Sequence, residues 1–228
     1  MRGMRVYVGS AGAAQGVPEM REEESAMIAA LYVQRGGCYY GLPDVDPWDE
    51  ERDARLYAGP WKVIAHPPCQ RWGRFWHGST RKPHQFALGD DGGCFEAALA
   101  AVRGWGGILE HPADSHAWGN FGLNRPPRKG GWIEADVVGG MTCCVDQGKY
   151  GHLSNKRTWL YAFGVNVPEM NWGPGEQRLH PIALQRYGYA KARRIGMMAM
   201  IGGKHKTEIR NATPPLFRDL LISIVQAT

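Results

Sequence analysis

Short apolar runs that stop at glycine or proline recur along this chain, and their alternation with helical patterns constrains its fold more than any other feature. The runs at 62–65, 107–109 and 159–163 have the length and composition of buried strands. Between the first two runs, residues 95–103 repeat apolar side chains at helical spacing. Because strands that alternate with helices form largely parallel sheets covered on both faces, we predict an α/β fold of that class.

The N-terminal part of the chain shows the same alternation. We predict a strand at 6–8 that enters a glycine turn, and a helix at 22–33 that ends at a Gly-Gly pair. A second strand at 38–40 and a short charged helix at 48–57 lead into the strand at 62–65. The order of strand, helix, strand, helix and strand supports the same fold class.

The composition favours a single folded domain over residues 1–228. With 43% hydrophobic and 21% charged residues the chain can bury a core, and it contains no repeat. Five cysteines without a CxxC pair argue against a disulfide framework and a structural zinc site, and the histidines lack the spacing of a catalytic metal site. Since no apolar run approaches the length of a membrane span or forms a signal peptide core, we expect a soluble, cytoplasmic protein.

Positive charge is concentrated toward the C-terminus. Residues 175–228 carry nine Lys and Arg against three Asp and Glu, whereas residues 1–60 carry six against ten. A basic region suits a polyanionic partner such as DNA, because each neutralised phosphate releases counterions. The same charge is also found in proteins that bind no nucleic acid.

Cys69 is the first candidate for chemistry. It follows the strand at 62–65 through Pro67 and Pro68, which force an extended turn and present the thiol rather than pack it. A cysteine reacts as the thiolate, which a nearby cation favours. The candidates for that cation are His66, Arg71 and Arg74. The alternative is a small buried cysteine in a strand-to-helix turn.

Four segments of the chain resemble, in the same order, sequence blocks of the DNA cytosine-5 methyltransferases. The first is a Pro-Cys-Gln run after an apolar strand, and the second is a strand ending in Glu-His-Pro, similar to the family's Glu-Asn-Val. The third resembles the family's Gln-x-Arg-x-Arg segment, and the fourth its Gly-Asn-x-Val-x-Pro block. The segments are 67–70, 106–112, 150–161 and 211–216. They extend over most of residues 61–228.

The resemblance implies a covalent mechanism. In that family the cysteine attacks C6 of the target cytosine and the glutamate holds the N3 and N4 edge, which assigns these roles to Cys69 and Glu110. Lys156 stands at the family's first arginine position and Arg157 one position off, and both are catalytic candidates. The candidates for substrate binding in the matching segments are Pro68, Gln70, Arg71, Arg74 and, at the family's glutamine position, Ser154.

The role implied for Glu110 requires a carboxyl group that shares a proton with N3 at neutral pH. This requires a raised pKa, which we expect from a dry pocket lined by some of Trp72, Trp76 and Trp118. The alternative is a strand-end carboxylate paired with a nearby arginine.

The resemblance also implies S-adenosylmethionine as the cofactor, on a Rossmann-like methyltransferase sheet whose cofactor half is reduced. The family's first glycine turn corresponds to Gly9 and Gly12, whose spacing is one residue longer. Asp44 or Asp46 would take the ribose hydroxyls, and both are also typical of turns. The remaining candidates for the cofactor pocket are Pro67 and Asn211.

The family's target-recognition domain would be reduced here to an insert at 165–204. Its basic residues, which include Arg193 and Arg194, suffice to hold a phosphate backbone but offer little to read base edges. Such a reduced insert predicts low sequence specificity, a very short recognition site, a single-stranded or nucleotide substrate, or help from a partner. The leading expectation is an enzyme that acts on DNA, as would suit a modification enzyme of a phage or a mobile element.

Two other interpretations stay open on the sequence alone. One keeps the covalent cytosine adduct but dispenses with S-adenosylmethionine, and yields hydroxymethylation or deamination of DNA or of a nucleotide. The other is a catalytically silent methyltransferase-like subunit that binds nucleic acid for a partner.

Overall fold

The structure is a computed structural model, and it describes residues 27–78, 85–175, 179–196, 201–202 and 206–227. The strand predicted at 6–8 lies outside these residues. So do Gly9, Gly12 and the first part of the helix predicted at 22–33.

The described strands form one mixed sheet with the order β2-β1-β3-β4-β7-β6-β5. They are β1 (Ile28–Leu31), β2 (Val45–Trp48), β3 (Lys62–Ala65), β4 (Gly107–Pro112), β5 (Ile133–Glu134), β6 (Met141–Asp146) and β7 (Arg157–Phe163). The first four strands are mutually parallel, and β7 is antiparallel to both of its neighbours. Since only β5 and β7 oppose the other strands, the sheet is mostly parallel in direction.

Six α-helices accompany the sheet in the described residues. They are α1 (Cys94–Trp105), α2 (His116–Asn120), α3 (Pro181–Tyr187), α4 (Tyr189–Ile195), α5 (Lys206–Asn211) and α6 (Pro215–Gln226). None of these helices is long and apolar enough to cross a bilayer. The predicted α/β class, with a mostly parallel sheet, is confirmed.

The sheet separates two apolar layers because side chains alternate along each strand. On β4, Leu109 belongs to the layer that contains Phe95 of α1, and Ile108 belongs to the layer that contains Phe217 of α6. We call the two sides of the sheet the α1 face and the α6 face. Helices on both sides give three layers, as expected for a sheet buried on both faces.

The predicted elements around the candidate site are confirmed. The strand at 62–65 is β3, the strand at 107–109 is β4, and the run at 159–163 is the greater part of β7. The helical pattern at 95–103 forms α1. These segments combine clear periodicity with a glycine or proline at their ends, so local and tertiary preferences agree.

The helix predicted at 22–33 is wrong over its described part. Residues Ile28–Leu31 form β1, whose four side chains are all buried between β2 and β3. A short apolar run fits a buried strand or a buried helix equally well, and pairing with strands on both sides decides for the strand.

The two elements predicted next in the chain are also wrong. Residues 38–40 lie in consecutive turns, in which Gly37 N donates to Gln34 O at 2.9 Å and Tyr40 N to Gly37 O at 3.1 Å. The helix predicted at 48–57 is replaced by the end of β2 and two short 3-10 helices. Asp53, whose φ is 45°, separates those two helices, because an α-helix cannot continue through a left-handed residue.

The predicted insert at 165–204 contains α3 and α4, which together with α5 pack around a small apolar cluster. Ile195, Ile201 and Ile209 form that cluster, against Leu153 in the segment before β7. Two hydrogen bonds fasten the helices to the same segment. Asn155 N donates to Gly196 O at 3.0 Å, and His152 Nε2 lies 2.9 Å from Ile209 O.

Candidate active site

Cys69 lies just beyond the carboxyl end of β3. His66 N donates the last strand-like hydrogen bond, to Leu31 O at 3.0 Å, and the two prolines that follow have no N–H to continue the ladder. The Cys69 carbonyl then accepts hydrogen bonds from Trp72 N and Gly73 N, each at 3.1 Å. These bonds fix the turn, and they leave the Cys69 thiol half-buried rather than sealed in the core.

Glu110 lies near the carboxyl end of β4, on the α6 face, and is only 7% exposed. Its Oε2 lies 3.0 Å from His66 Nδ1, and its Oε1 accepts a hydrogen bond from Gln147 Nε2 at 3.0 Å. The contacts continue outward on both sides. Tyr39 Oη lies 2.9 Å from His66 Nε2, and Gln147 Nε2 also donates to Thr158 Oγ1 at 2.9 Å. We call these five residues the Glu110 network.

The Glu110 network holds its carboxyl group ionised. Burial alone would raise the pKa of Glu110, but the hydrogen bond from His66 and the positive charge of Lys156 outweigh burial and bring the pKa to about 2. The expected raised pKa is therefore wrong. A buried carboxylate is retained when it is paired and hydrogen-bonded, and four of the five network residues are at least nine-tenths buried.

The tryptophans expected around Glu110 also lie elsewhere. Trp72 and Trp118 pack with Phe95 on the α1 face, with ring centroids 5.8 Å from Phe95 in both cases. Trp76 is half-buried in the turn after Cys69, with its ring 5.5 Å from that of His77. The Glu110 carboxylate therefore meets polar side chains instead of indole rings.

Lys156 supplies the positive field at Cys69. Burial raises the pKa of the Cys69 thiol and the charge of Glu110 raises it further, while Lys156 lowers it. Neither arginine expected in this role takes it. Arg71 stacks over the ring of Phe86 at 3.3 Å, and Arg74 lies 5.6 Å from the ring of Phe75.

The two cations at the start of β7 face opposite sides of the sheet. Lys156 acts on both Glu110 and Cys69. Arg157 points to the α1 face, where its guanidinium is 3.8 Å from Asp114. The structure thus brings Cys69, Glu110 and Lys156 together and leaves Arg157 outside the group.

The other candidates for substrate binding are divided between the turn and the helical segment. Pro68 and Gln70 are exposed on either side of Cys69. Ser154 is fully buried, and its backbone N–H donates to His152 Nδ1 at 3.1 Å, so it supports the segment before β7. Arg193 and Arg194 are exposed on α4.

The described candidates for the cofactor pocket do not lie together, although one of them, Pro67, is in the turn that carries Cys69. Asp44 precedes β2, and its carbonyl accepts from Ile28 N, so it lies at the opposite edge. Asp46, within β2, forms an ion pair with Arg52 and accepts from Trp48 Nε1 at 2.8 Å. Asn211 is exposed at the end of α5, and Pro67 is buried beside His66.

Asp49 is the acid that the fold places at the carboxyl end of β2. It is 8% exposed, and it accepts a hydrogen bond from Tyr40 Oη at 2.6 Å. Asp49 is not evident from the sequence, because the edge strand before it contains proline and therefore lacks a typical strand pattern.

The roles of Tyr39, Gln147 and Thr158 were also missed, because no local motif marks them. Gln147 follows β6 and begins the 3-10 helix Gln147–Tyr150. It comes close to Glu110 only because β4, β7 and β6 are adjacent in the sheet. Within the described part of the chain, no group of three or more His, Cys, Asp or Glu side chains is arranged to hold a metal ion.

Comparison with known proteins adds no family to this description. No protein-family model matches the chain, and no curated protein matches it. The resemblance of the four sequence segments to the DNA cytosine-5 methyltransferases therefore stays a prediction.

Proposed function

We propose that this protein modifies C5 of cytosine in DNA through a transient bond between Cys69 Sγ and C6 of the base. The observation that supports this most is that Cys69 follows β3, Glu110 lies near the carboxyl end of the neighbouring parallel strand β4, and the two groups act on each other electrostatically. In open α/β sheets, ligands bind outside the carboxyl ends of the strands. This arrangement supports an interpretation in which one edge of the sheet offers a nucleophile and an acid–base group to the same base.

The protonation states of these two groups complement each other. Burial favours the thiol form of Cys69, whereas Glu110 is a carboxylate at neutral pH. A carboxyl group with a pKa of about 2 does not hold a proton taken from a thiol whose pKa is raised, so Glu110 passes the thiol proton on to N3 while the Sγ–C6 bond forms. As the Sγ–C6 bond forms, the C5–C6 π pair moves to C4–C5, the C4–N3 π pair moves to N3, and N3 takes the proton from Glu110.

C5 is then nucleophilic and attacks an electrophile. A water molecule from solvent then takes the C5 proton, which restores the C5–C6 double bond and expels Sγ, and the N3 proton returns through Glu110 to the departing thiolate. His66 and Tyr39 are positioning residues in this scheme. Because an ionised carboxylate only accepts hydrogen bonds, His66 Nδ1 carries the proton toward Glu110 and fixes the orientation of the carboxylate.

S-adenosylmethionine is the electrophile we assign, and it would supply a methyl group to C5 and leave as S-adenosylhomocysteine. Two described residues at the same edge of the sheet suit a nucleoside-bearing donor. Asp49 follows β2 with a buried carboxylate, a group that accepts hydrogen bonds from ribose hydroxyls. Tyr32 follows β1, and within the described residues its buried hydroxyl has no hydrogen-bond partner.

The helical segment beside the active site suits the phosphate backbone of DNA. Lys191, Arg193 and Arg194 are exposed on α4, and the segment is tied to the residues before Lys156 by Asn155 and His152. We expect affinity for DNA to fall steeply with salt, because phosphate contacts release counterions. Discrimination among sites of equal length should stay below about 4 kcal/mol, since few side chains are available to read bases.

The decisive experiment traps the adduct on an oligonucleotide that carries 5-fluorocytosine. We expect a covalent species, detected by its mass, with the wild type and with Cys94→Ser, a matched change at another half-buried thiol. Cys69→Ser should form none. Absence of an adduct with the wild type, with and without methyl donor, would leave a silent nucleic-acid-binding subunit as the better interpretation.

A second experiment separates the methyl donor from the covalent step. Calorimetric titration of the wild type with S-adenosylmethionine should give measurable binding, weakened in Asp49→Asn. Adduct formation in a protein that does not bind the donor would instead favour hydroxymethylation or deamination.

A further inference from the structure

Gln147 has a buried acceptor that no described group satisfies. The residue is 1% exposed, and its backbone is held on both sides, by Gln147 N donating to Lys156 O at 2.9 Å and by His152 N donating to Gln147 O at 3.0 Å. Its side-chain position is therefore set by the strands rather than by solvent.

In the described residues, the nitrogen of the Gln147 side-chain amide is fully hydrogen-bonded and its oxygen is not. Nε2 carries two hydrogens, and both are engaged, with Glu110 Oε1 at 3.0 Å and Thr158 Oγ1 at 2.9 Å. Oε1 has no hydrogen-bond partner in the described part of the chain. Reversing the amide would direct its oxygen at an ionised carboxylate, so the hydrogen-bond network fixes the orientation.

The unsatisfied oxygen lies beside the catalytic acid. The C–N and C=O bonds of an amide together measure about 2.6 Å, so Oε1 is within about 5.6 Å of Glu110 Oε1. Buried acceptors without a donor are rare in folded proteins because they lose their hydrogen bonds to water. A ligand that brings an N–H group to this point would restore the missing hydrogen bond.

We propose that Gln147 Oε1 accepts a hydrogen bond from the exocyclic amino group of the target base and thereby selects cytosine over uracil. This inference rests on the proposed function, because it takes the base that Cys69 attacks as the ligand. The amino group of cytosine has two hydrogens, one for the Glu110 carboxylate and one for Gln147. Uracil would place a carbonyl oxygen against the same two acceptors.

The test compares three bases at one position of an otherwise identical oligonucleotide: 5-fluorocytosine, 5-fluorouracil and pyrimidin-2-one. The last base has no substituent at C4, so it has no group for Gln147 to recognise. Rates of adduct formation are measured for the wild type and for Gln147→Met, which keeps the size of the side chain but removes the amide. Gln185→Met, a matched change at an exposed position of α3, is the control.

In Gln147→Met we expect the ratio of the cytosine rate to the uracil rate to fall about 10- to 100-fold. The ratio of the cytosine rate to the pyrimidinone rate should fall with it, and Gln185→Met should leave both ratios unchanged. If Gln147→Met does not fold, Gln147→Asn, which withdraws the amide by one methylene group, serves in its place with the same expectation.

Unchanged ratios in a folded variant at position 147 would overturn the inference and leave the proposed function intact. Failure of the wild type to form an adduct with either fluorinated base is a different result. It would remove the proposed function, and the role of Gln147 with it.

Discussion

In two pairs of consecutive residues, the two members lie on opposite faces of the sheet. The pairs are Glu110 with His111 and Lys156 with Arg157. On the α6 face, Glu110 and Lys156 lie near the Cys69 thiol, and Glu110 is hydrogen-bonded on both sides. On the α1 face, His111 is fully buried against Phe95, with ring centroids 5.2 Å apart. Arg157 on that face lies beside a surface aspartate.

The two faces treat a buried titratable group in opposite ways. Glu110 is charged, and it is surrounded by partners that lower its pKa to about 2. His111 is neutral, because burial among aromatic rings lowers its pKa to about 4, and Glu110 and the Pro68 carbonyl only partly offset that effect. A polar side chain buried at the edge of a sheet therefore does not by itself indicate a catalytic site. A buried charged group with several hydrogen-bond partners is a stronger indication.

The largest effect should follow from Glu110→Gln, which keeps the shape of the side chain but removes the acid–base group. We expect adduct formation with 5-fluorocytosine to fall about 10³-fold, within the range for general acid–base catalysis. Glu134→Gln, at an exposed position of β5, is the matched control and should behave as the wild type. A loss smaller than tenfold in Glu110→Gln would remove the distinction between the two faces.

His111→Phe should change stability against acid. The unfolded chain binds a proton at His111 near pH 6.5 and the folded chain near pH 4, so this residue lowers the free energy of unfolding as pH falls between those values. The loss is about 3 kcal/mol. The free energy of unfolding, measured with urea at pH 7 and at pH 4, should therefore decrease by about 3 kcal/mol more in the wild type than in the variant.

His152 also titrates near pH 4, so some acid sensitivity persists in His111→Phe. The variant and the wild type are therefore compared in the same buffers. Equal losses in both proteins would show that His111 is not buried in its neutral form.

Lys156→Gln and Arg157→Gln test the two faces with the same chemical change at neighbouring positions. Lys156→Gln should slow adduct formation about tenfold, since loss of its charge raises the pKa of Cys69 and one pKa unit is a tenfold change in thiolate. Arg157→Gln should change the rate by less than about twofold, as expected for an exposed ion pair.

The pH dependence of Cys69 alkylation, measured in a background of Cys38→Ser and Cys94→Ser, should show the same ordering. An equal effect of the two substitutions would contradict the assignment of Arg157 to the other face.

The smallest effect should come from deleting one hydroxyl on each face. Tyr39→Phe removes the contact with His66 Nε2, and we expect adduct formation to slow two- to threefold, about the effect of one neutral hydrogen bond. Thr142→Val removes the acceptor of Trp118 Nε1 on the α1 face and should lower stability without changing the rate. Equal rates for both variants would place Tyr39 outside the catalytic arrangement.

The sequence predicts the part of the site in which local signals and tertiary structure agree. β3 and β4 are apolar runs with clear ends, so the sequence predicts the two strands that carry Cys69 and Glu110. The prolines after His66 mark the end of β3, because they cannot donate a ladder hydrogen bond.

The remainder of the site depends on contacts that have no local pattern. Gln147 reaches Glu110 only because β7 returns between β4 and β6. The ionised state of Glu110 depends on His66 and Lys156, which lie 44 and 46 residues away in the sequence. β1 resembled a helix because its alanines favour helix, and only pairing with two strands overrides that preference.

The attachment of the helical segment through Gly196 and Ile209 has a consequence for engineering. Both are joined to the segment before β7 through main-chain carbonyl oxygens, so the two hydrogen bonds do not depend on the side chains at these points, and Ile209 is constrained only by its place in the apolar cluster. A segment from another protein could be grafted here if it offers two carbonyl groups at the same separation. Such chimaeras would exchange the exposed basic side chains of α4 and leave the Glu110 network unchanged.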